Sequence, residues 1–171
     1  MVFDPAMVRT EHIKEDADYE GVRIRFVGLL GRARVTMQVD VGFGDVVTPG
    51  EESISYPALL DFPAPELFGY PRETVVAEKF QAMVYLRTIN SRMKDFYDVW
   101  LLGSQFTFDG KLLAKAIAAT FTNRGTSIEL APIAFTPDFT EQSSTLAQWT
   151  ALRNRLPNAQ CPEKLSEVVT F

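Results

Sequence analysis

Tyr70-Pro71-Arg72-Glu73-Thr74-Val75-Val76-Ala77-Glu78-Lys79 is where the period of this 171-residue chain changes. A proline is well placed at the start of a helix, where its missing N–H is not needed, and Glu73 suits the positive end of the helix dipole. Together they predict a helix from about Arg72 to Arg87. Upstream the period is two. Val22, Ile24 and Phe26 alternate with Arg23 and Arg25, while Val35, Met37, Val39 and Val41 alternate with Arg34, Thr36, Gln38 and Asp40. Two such runs joined at Gly28–Gly31 predict an antiparallel hairpin with one buried face. The stretch from Asp45 to Pro65 holds Pro49, Pro57, Pro63 and Pro65 and predicts an extended connector. Residues 1–20 show no clear period and read as a solvated lead-in.

Downstream, Asn90 or Ser91 is placed to cap a second helix that runs through Trp100 and ends at Gly103. Asp109 caps a third, from Gly110 to about Thr122. Asp138 to Arg155 predicts a fourth helix and Pro162 to Val169 a short terminal one. A β-rich part over 1–69 followed by a helical part over 70–171 is an α+β arrangement.

Composition narrows what such a chain does. Apolar residues make up 46% and charged residues 23%, which is globular, and the net charge of −5 argues against sequence-blind coating of nucleic acid. The acidity is local: residues 1–100 hold 11 Lys/Arg against 16 Asp/Glu, and the remainder is balanced. One cysteine, Cys161, and one histidine, His12, exclude an internal disulfide framework and a Cys/His zinc cluster. No apolar run is long enough to span a membrane, and Met1–Asp18 lacks an apolar signal core, so a cytoplasmic protein with no membrane partner is expected.

Polar residues break the pattern at three places. Lys79 has apolar helix neighbours three and four positions away, Val75, Val76, Ala82 and Met83, whereas Glu78, Gln81 and Tyr85 form a polar face elsewhere. An ammonium on the apolar side either snorkels to water, pairs with a carboxylate or binds an anion. Asp95 and Asp98 share a helix face with Lys94, opposite Met93, Phe96, Tyr97 and Trp100. They read either as a solvated, dipole-matched first turn or as paired carboxylates set for a metal or a hydroxyl. Asp40 lies on the polar face of its strand just before Val41-Gly42-Phe43-Gly44-Asp45, a place for a catalytic acid or an ordinary exposed position. Trp149 and Phe135 read as core.

These residues carry a resemblance. Tyr70 to Lys79, then Asn90-Ser91-Arg92-Met93-Lys94-Asp95-Phe96-Tyr97-Asp98, and the strand Gln38-Val39-Asp40-Val41-Gly42-Phe43-Gly44-Asp45 closely resemble the AbiEii/AbiGii toxin family of nucleotidyltransferases. The similarity covers roughly residues 20–103. It implies a partial polymerase-β-like nucleotidyltransferase sheet over 1–69, followed by a helical part that carries the Lys and Lys-Asp motifs. It also implies abortive-infection or toxin–antitoxin biology, a nucleoside triphosphate with Mg²⁺, and a tRNA or protein acceptor. Carried over by motif, Asp40 matches an acidic position facing the metal. Lys79 matches the lysine that holds the triphosphate. Asp95 matches a catalytic or orienting acid, with Arg92, Lys94 and Asp98 around it at the nucleotide.

The chain also departs from that family's pattern. Members carry a Gly-Gly or Gly-Ser turn followed by an Asp-x-Asp pair on a strand, and nothing here matches. Asp16-Ala17-Asp18 has neither a glycine turn before it nor an apolar strand around it, and reads as a chance match. Two-metal phosphoryl transfer needs convergent carboxylates, so an enzyme incomplete as this chain alone is expected. The alternative is a non-catalytic module that binds nucleotide or protein and acts through a cognate antitoxin or by self-association into a homo-oligomer.

Overall fold

The computed structural model describes residues 1–14, 20–156 and 161–171. Asp16-Ala17-Asp18 lies outside the described residues. The chain divides into two compact units, Met1–Asp45 and Val46–Phe171.

The first unit is an antiparallel sheet: β1 (Val2–Phe3), β2 (Arg9–Lys14), β3 (Glu20–Leu30) and β4 (Ala33–Gly42). Strands β3 and β4 form the antiparallel hairpin expected from the alternation. Its register is unbroken from Gly21↔Gly42 to Leu30↔Ala33. The face expected to be buried is not: among the described residues no apolar side chain of either strand is buried, and Val35 and Val39 are 39% and 47% exposed. Gly28 lies within β3 opposite Val35 rather than in the turn. The turn is the two residues Gly31-Arg32, and Gly31 sits at a φ of 60°, which a primed two-residue turn assigns to glycine. Opposed pairs Val22/Val41, Ile24/Val39 and Phe26/Met37 line one face, and the Phe3 and Phe26 rings meet at 5.9 Å.

Residues 1–14 are largely exposed, as read, but they form strands rather than an irregular lead-in. Strands β1 and β2 share the other edge of β3, with Phe3 opposite Gly28 and His12 opposite Val22. Their own composition gives no period because β2 is held by backbone pairing and by charge. Glu11 lies 3.0 Å from Arg25 and 3.8 Å from Arg23. A Cβ at Gly28 would come within 2.8 Å of both the Met1 and Met37 side chains, so the sheet closes tightly there.

In the second unit the proline-rich connector is extended as expected, and part of it pairs: β5 (Glu52–Ser55) runs antiparallel to β6 (Glu66–Gly69). Helix α1 spans Arg72–Leu86, α2 Met93–Gln105 and α3 Gly110–Asn123. Thr74, fully buried near the start of α1, receives a hydrogen bond from Thr48 N at 3.0 Å and donates to Thr48 O at 2.9 Å, tying the connector to the helix. Asp109 caps α3 by accepting from Lys111 N and Leu112 N at 2.8 and 3.1 Å. Asn90 Oδ1 accepts from Arg92 N at 2.8 Å just before α2. Gly103 does not stop that helix, which continues to Gln105 and ends where Phe106 turns extended.

The fourth predicted helix is two: α4 (Pro137–Thr140) and α5 (Ser143–Arg153). Phe139 and Thr140 are driven into the core and the chain re-enters α5 through an extended Gln142. The terminal helix α6 is Leu165–Val169. Met83, Phe96, Phe139, Trp149 and Leu165 form the centre of the core, with Phe96 stacked on Phe139 at 5.7 Å. Trp149 satisfies its indole by donating to Glu163 O at 3.1 Å. Trp149 and Phe135 are thus core residues, as read. Among the described residues no helix is long and apolar enough to cross a membrane.

Candidate functional site: a charge cluster between the first two helices

Packing α1 against α2 brings five of the six singled-out residues into one cluster. The Lys79 ammonium donates to Asp95 Oδ1 at 2.8 Å and to Asp98 Oδ2 at 2.7 Å. Lys94 donates to the same Asp98 oxygen at 2.6 Å. Arg92 Nε lies 2.8 Å from Asp95 Oδ2, an ion pair by distance whose angle leaves that buried oxygen without a hydrogen bond.

The sequence explains the convergence. The i, i+3 spacing of Asp95 and Asp98 turns both carboxylates to one side of α2. Val76 and Met83, a turn on either side of Lys79, are buried and press that face of α1 inward. Of the three routes open to a lysine on an apolar face, Lys79 takes pairing. The solvated reading of Asp95 fails. Its side chain is 7% exposed, whereas Arg92 and Lys94 stand at 55% and 71%. The cluster therefore has a buried core of one cation and two carboxylates, with two cations at its rim. Burial pulls the Lys79 pKa down, but hydrogen bonds from the ammonium to Asp95 and Asp98, reinforced by their charges, outweigh it and hold the pKa above the ordinary lysine value.

Asp40 stands in the first unit, on the polar face of β4. Arg23 grips it in a fork, Nε to Oδ1 at 2.8 Å and Nη2 to Oδ2 at 2.9 Å, and Gln38 Nε2 donates to Oδ2 at 3.1 Å. The Arg23 hydrogen bond, more than any other influence, holds the Asp40 carboxyl below the ordinary aspartate value.

The residue types that would hold a divalent cation are thus already engaged by cations. Asp40 already accepts from Arg23 at both oxygens and from Gln38 at Oδ2, so a guanidinium stands where a metal would, and three basic groups face two carboxylates around Lys79. Among the described residues no three His, Cys, Asp or Glu side chains gather as a metal-holding group. As arranged, these residues do not fit a metal. A cluster with more cations than carboxylates suits an anion.

A second polar cluster was not legible in the sequence. Glu78 and Gln81, read as part of a polar face away from Lys79, engage residues at the end of α3. Arg124 pairs with Glu78 and donates to Gln81 Oε1 at 3.1 Å, while Gln81 Nε2 donates to Thr126 at 2.7 Å. Only Tyr85 of that predicted face is exposed. The i, i+3 pair Glu78/Gln81 was the available signal, and its partner lies more than 40 positions downstream.

Comparison with curated proteins and with solved structures gives no match. A family model does match, over residues 2–170, so the likeness seen over 20–103 extends through the C-terminal helices. That model describes the nucleotidyl transferase AbiEii toxin of type IV toxin–antitoxin systems, and the chain belongs to this family.

Proposed function

We propose that the Lys79 cluster is the seat of a nucleoside triphosphate. The observation that carries this reading is the composition of the cluster: Lys79, Arg92 and Lys94 against Asp95 and Asp98, with the two rim cations exposed. A triphosphate arriving from solvent meets Arg92 and Lys94 first. Lys79, already oriented by two carboxylates, then supplies a positioned ammonium without the entropy cost of ordering a free side chain. Asp95 and Asp98 act by fixing that ammonium, and Asp95 is the proposed catalytic or orienting acid.

Asp40 is the proposed acidic residue of the metal side. Because Arg23 and Gln38 occupy it, we derive no step through Mg²⁺ from this chain. We propose instead that the chain alone binds nucleotide but transfers it poorly to a tRNA or protein acceptor, in keeping with the missing Asp-x-Asp motif. A cognate antitoxin is the proposed biological partner and the cytoplasm the proposed compartment.

The test is nucleotide titration of the pure chain with EDTA or with Mg²⁺, alongside incorporation of labelled nucleotide into tRNA and protein. Saturable binding in EDTA, with negligible incorporation, is expected. No binding under either condition overturns the seat. Robust incorporation abolished by Asp40→Ala overturns the incompleteness. The second reading, a module that acts by binding alone, is favoured by the Arg23–Asp40 fork, which neutralises the one strand carboxylate the motif supplies.

A further inference from the structure

The outer edge of β4 is a ten-residue strand, Ala33–Gly42. Among the described residues β3 is its only strand partner. Edge strands in soluble proteins are commonly blunted by a proline, a lysine, a bulge or short length, because their free N–H and C=O groups otherwise pair with another chain. Strand β4 has none of these devices. It contains no Pro or Lys, and its one-for-one register with β3 excludes a bulge. Val35 and Val39 on it are 39% and 47% exposed.

We infer that this edge pairs antiparallel with β4 of a second copy of this chain, about a two-fold axis at Met37. The register follows from three conditions. Opposed residues in an antiparallel ladder point to the same face, and those with outward backbone groups must meet their like. Both require the numbers of opposed residues to sum to an even value. Apolar residues then meet apolar ones on one face. Among the even registers, only the one centred on Met37 sets the two charged residues of β4, Arg34 and Asp40, against each other, and two-fold symmetry makes that pair twice. In this register Val35 lies opposite Val39 and Thr36 opposite Gln38. Met37 lies opposite itself.

Arg34 is exposed and its nearest polar contact is a weak one, to Met7 Sδ at 3.8 Å, which pairing releases readily. Asp40 keeps its Arg23 fork and retains lone pairs for the partner's guanidinium. The product is a continuous sheet running β3, β4, then the partner's β4 and β3, with both apolar faces on one side. This inference does not depend on the nucleotide reading.

Cysteine cross-linking in the full chain tests the register, since residues facing each other across an antiparallel pair have Cα atoms about 4.5–5.5 Å apart, within disulfide reach. Under mild oxidation Met37→Cys is expected to form a covalent dimer. Thr36→Cys or Gln38→Cys alone should stay uncrosslinked, and an equimolar mixture of those two should give a linked heterodimer. The parent, whose single Cys161 is buried, is the control. Arg34→Glu in the Met37→Cys background should lower the yield about tenfold. Equal cross-linking at 36, 37 and 38, or Gln38→Cys alone linking to itself, overturns the proposal. As a check free of substitution, sedimentation of the parent should show concentration-dependent dimer. A monomer at every concentration overturns it as well.

Discussion

Lys79 Nζ sits between Asp95 Oδ1 at 2.8 Å and Asp98 Oδ2 at 2.7 Å, joining two helices through one ammonium. With its side chain only 21% exposed, this contact is shielded enough to matter for stability as well as for binding. A double-mutant cycle on Lys79→Met and Asp95→Asn should give a coupling of about 1–3 kcal/mol. Chemical denaturation of the four proteins measures it. A coupling near zero would reduce the contact to a surface ion pair.

The pH dependence has a defined sign at each end. Lys79 has a raised pKa, so its stabilisation is complete below the ordinary lysine value of 10.5 and is lost as pH rises through the higher folded value. Asp40 has a lowered pKa, so its contribution is present above the ordinary 3.8 and disappears as pH falls through the lower folded value. Denaturation against pH should show the alkaline loss in the parent but not in Lys79→Met. Carboxyl NMR should show Asp40 titrating later in acid than it does in Arg23→Gln.

Asp109→Ala and Phe139→Ala should separate local from global effects. The first removes a cap that satisfies two backbone donors of α3 and should cost about 1 kcal/mol. The second empties a ring position at the centre of the core and should cost about 3–5 kcal/mol. Thermal melts of both variants check the ranking, which a larger loss for Asp109→Ala would reverse.

Much of the fold was legible because it rests on local signals. The alternation of β3 and β4, the Pro71–Glu73 start of α1 and the Asp109 cap each speak within a few residues. The misses share a cause. Strands β1 and β2 exist by pairing with a strand later in the chain, and the break between α4 and α5 is set by Phe139 seeking the core. Glu78 and Gln81 are engaged by an arginine that no window around α1 contains. At the site, an unpartnered cation on an apolar face marked Lys79. Spacing marked Asp95 and Asp98, but only the structure shows that one lysine holds both. The alternation put Arg23 and Asp40 on the polar faces of neighbouring strands, but that they stand opposite each other follows only from the turn falling at Gly31-Arg32.

Equilibrium binding of a nucleoside triphosphate to the parent and to Lys79→Met decides whether this cluster seats a triphosphate. Methionine fills the same apolar space, and Arg92 and Lys94 remain to face Asp95 and Asp98. Lys79→Met should remain folded, by circular dichroism and cooperative melting, and bind nucleotide more weakly by about tenfold or more. A folded Lys79→Met that binds nucleotide as tightly as the parent would contradict the triphosphate seat.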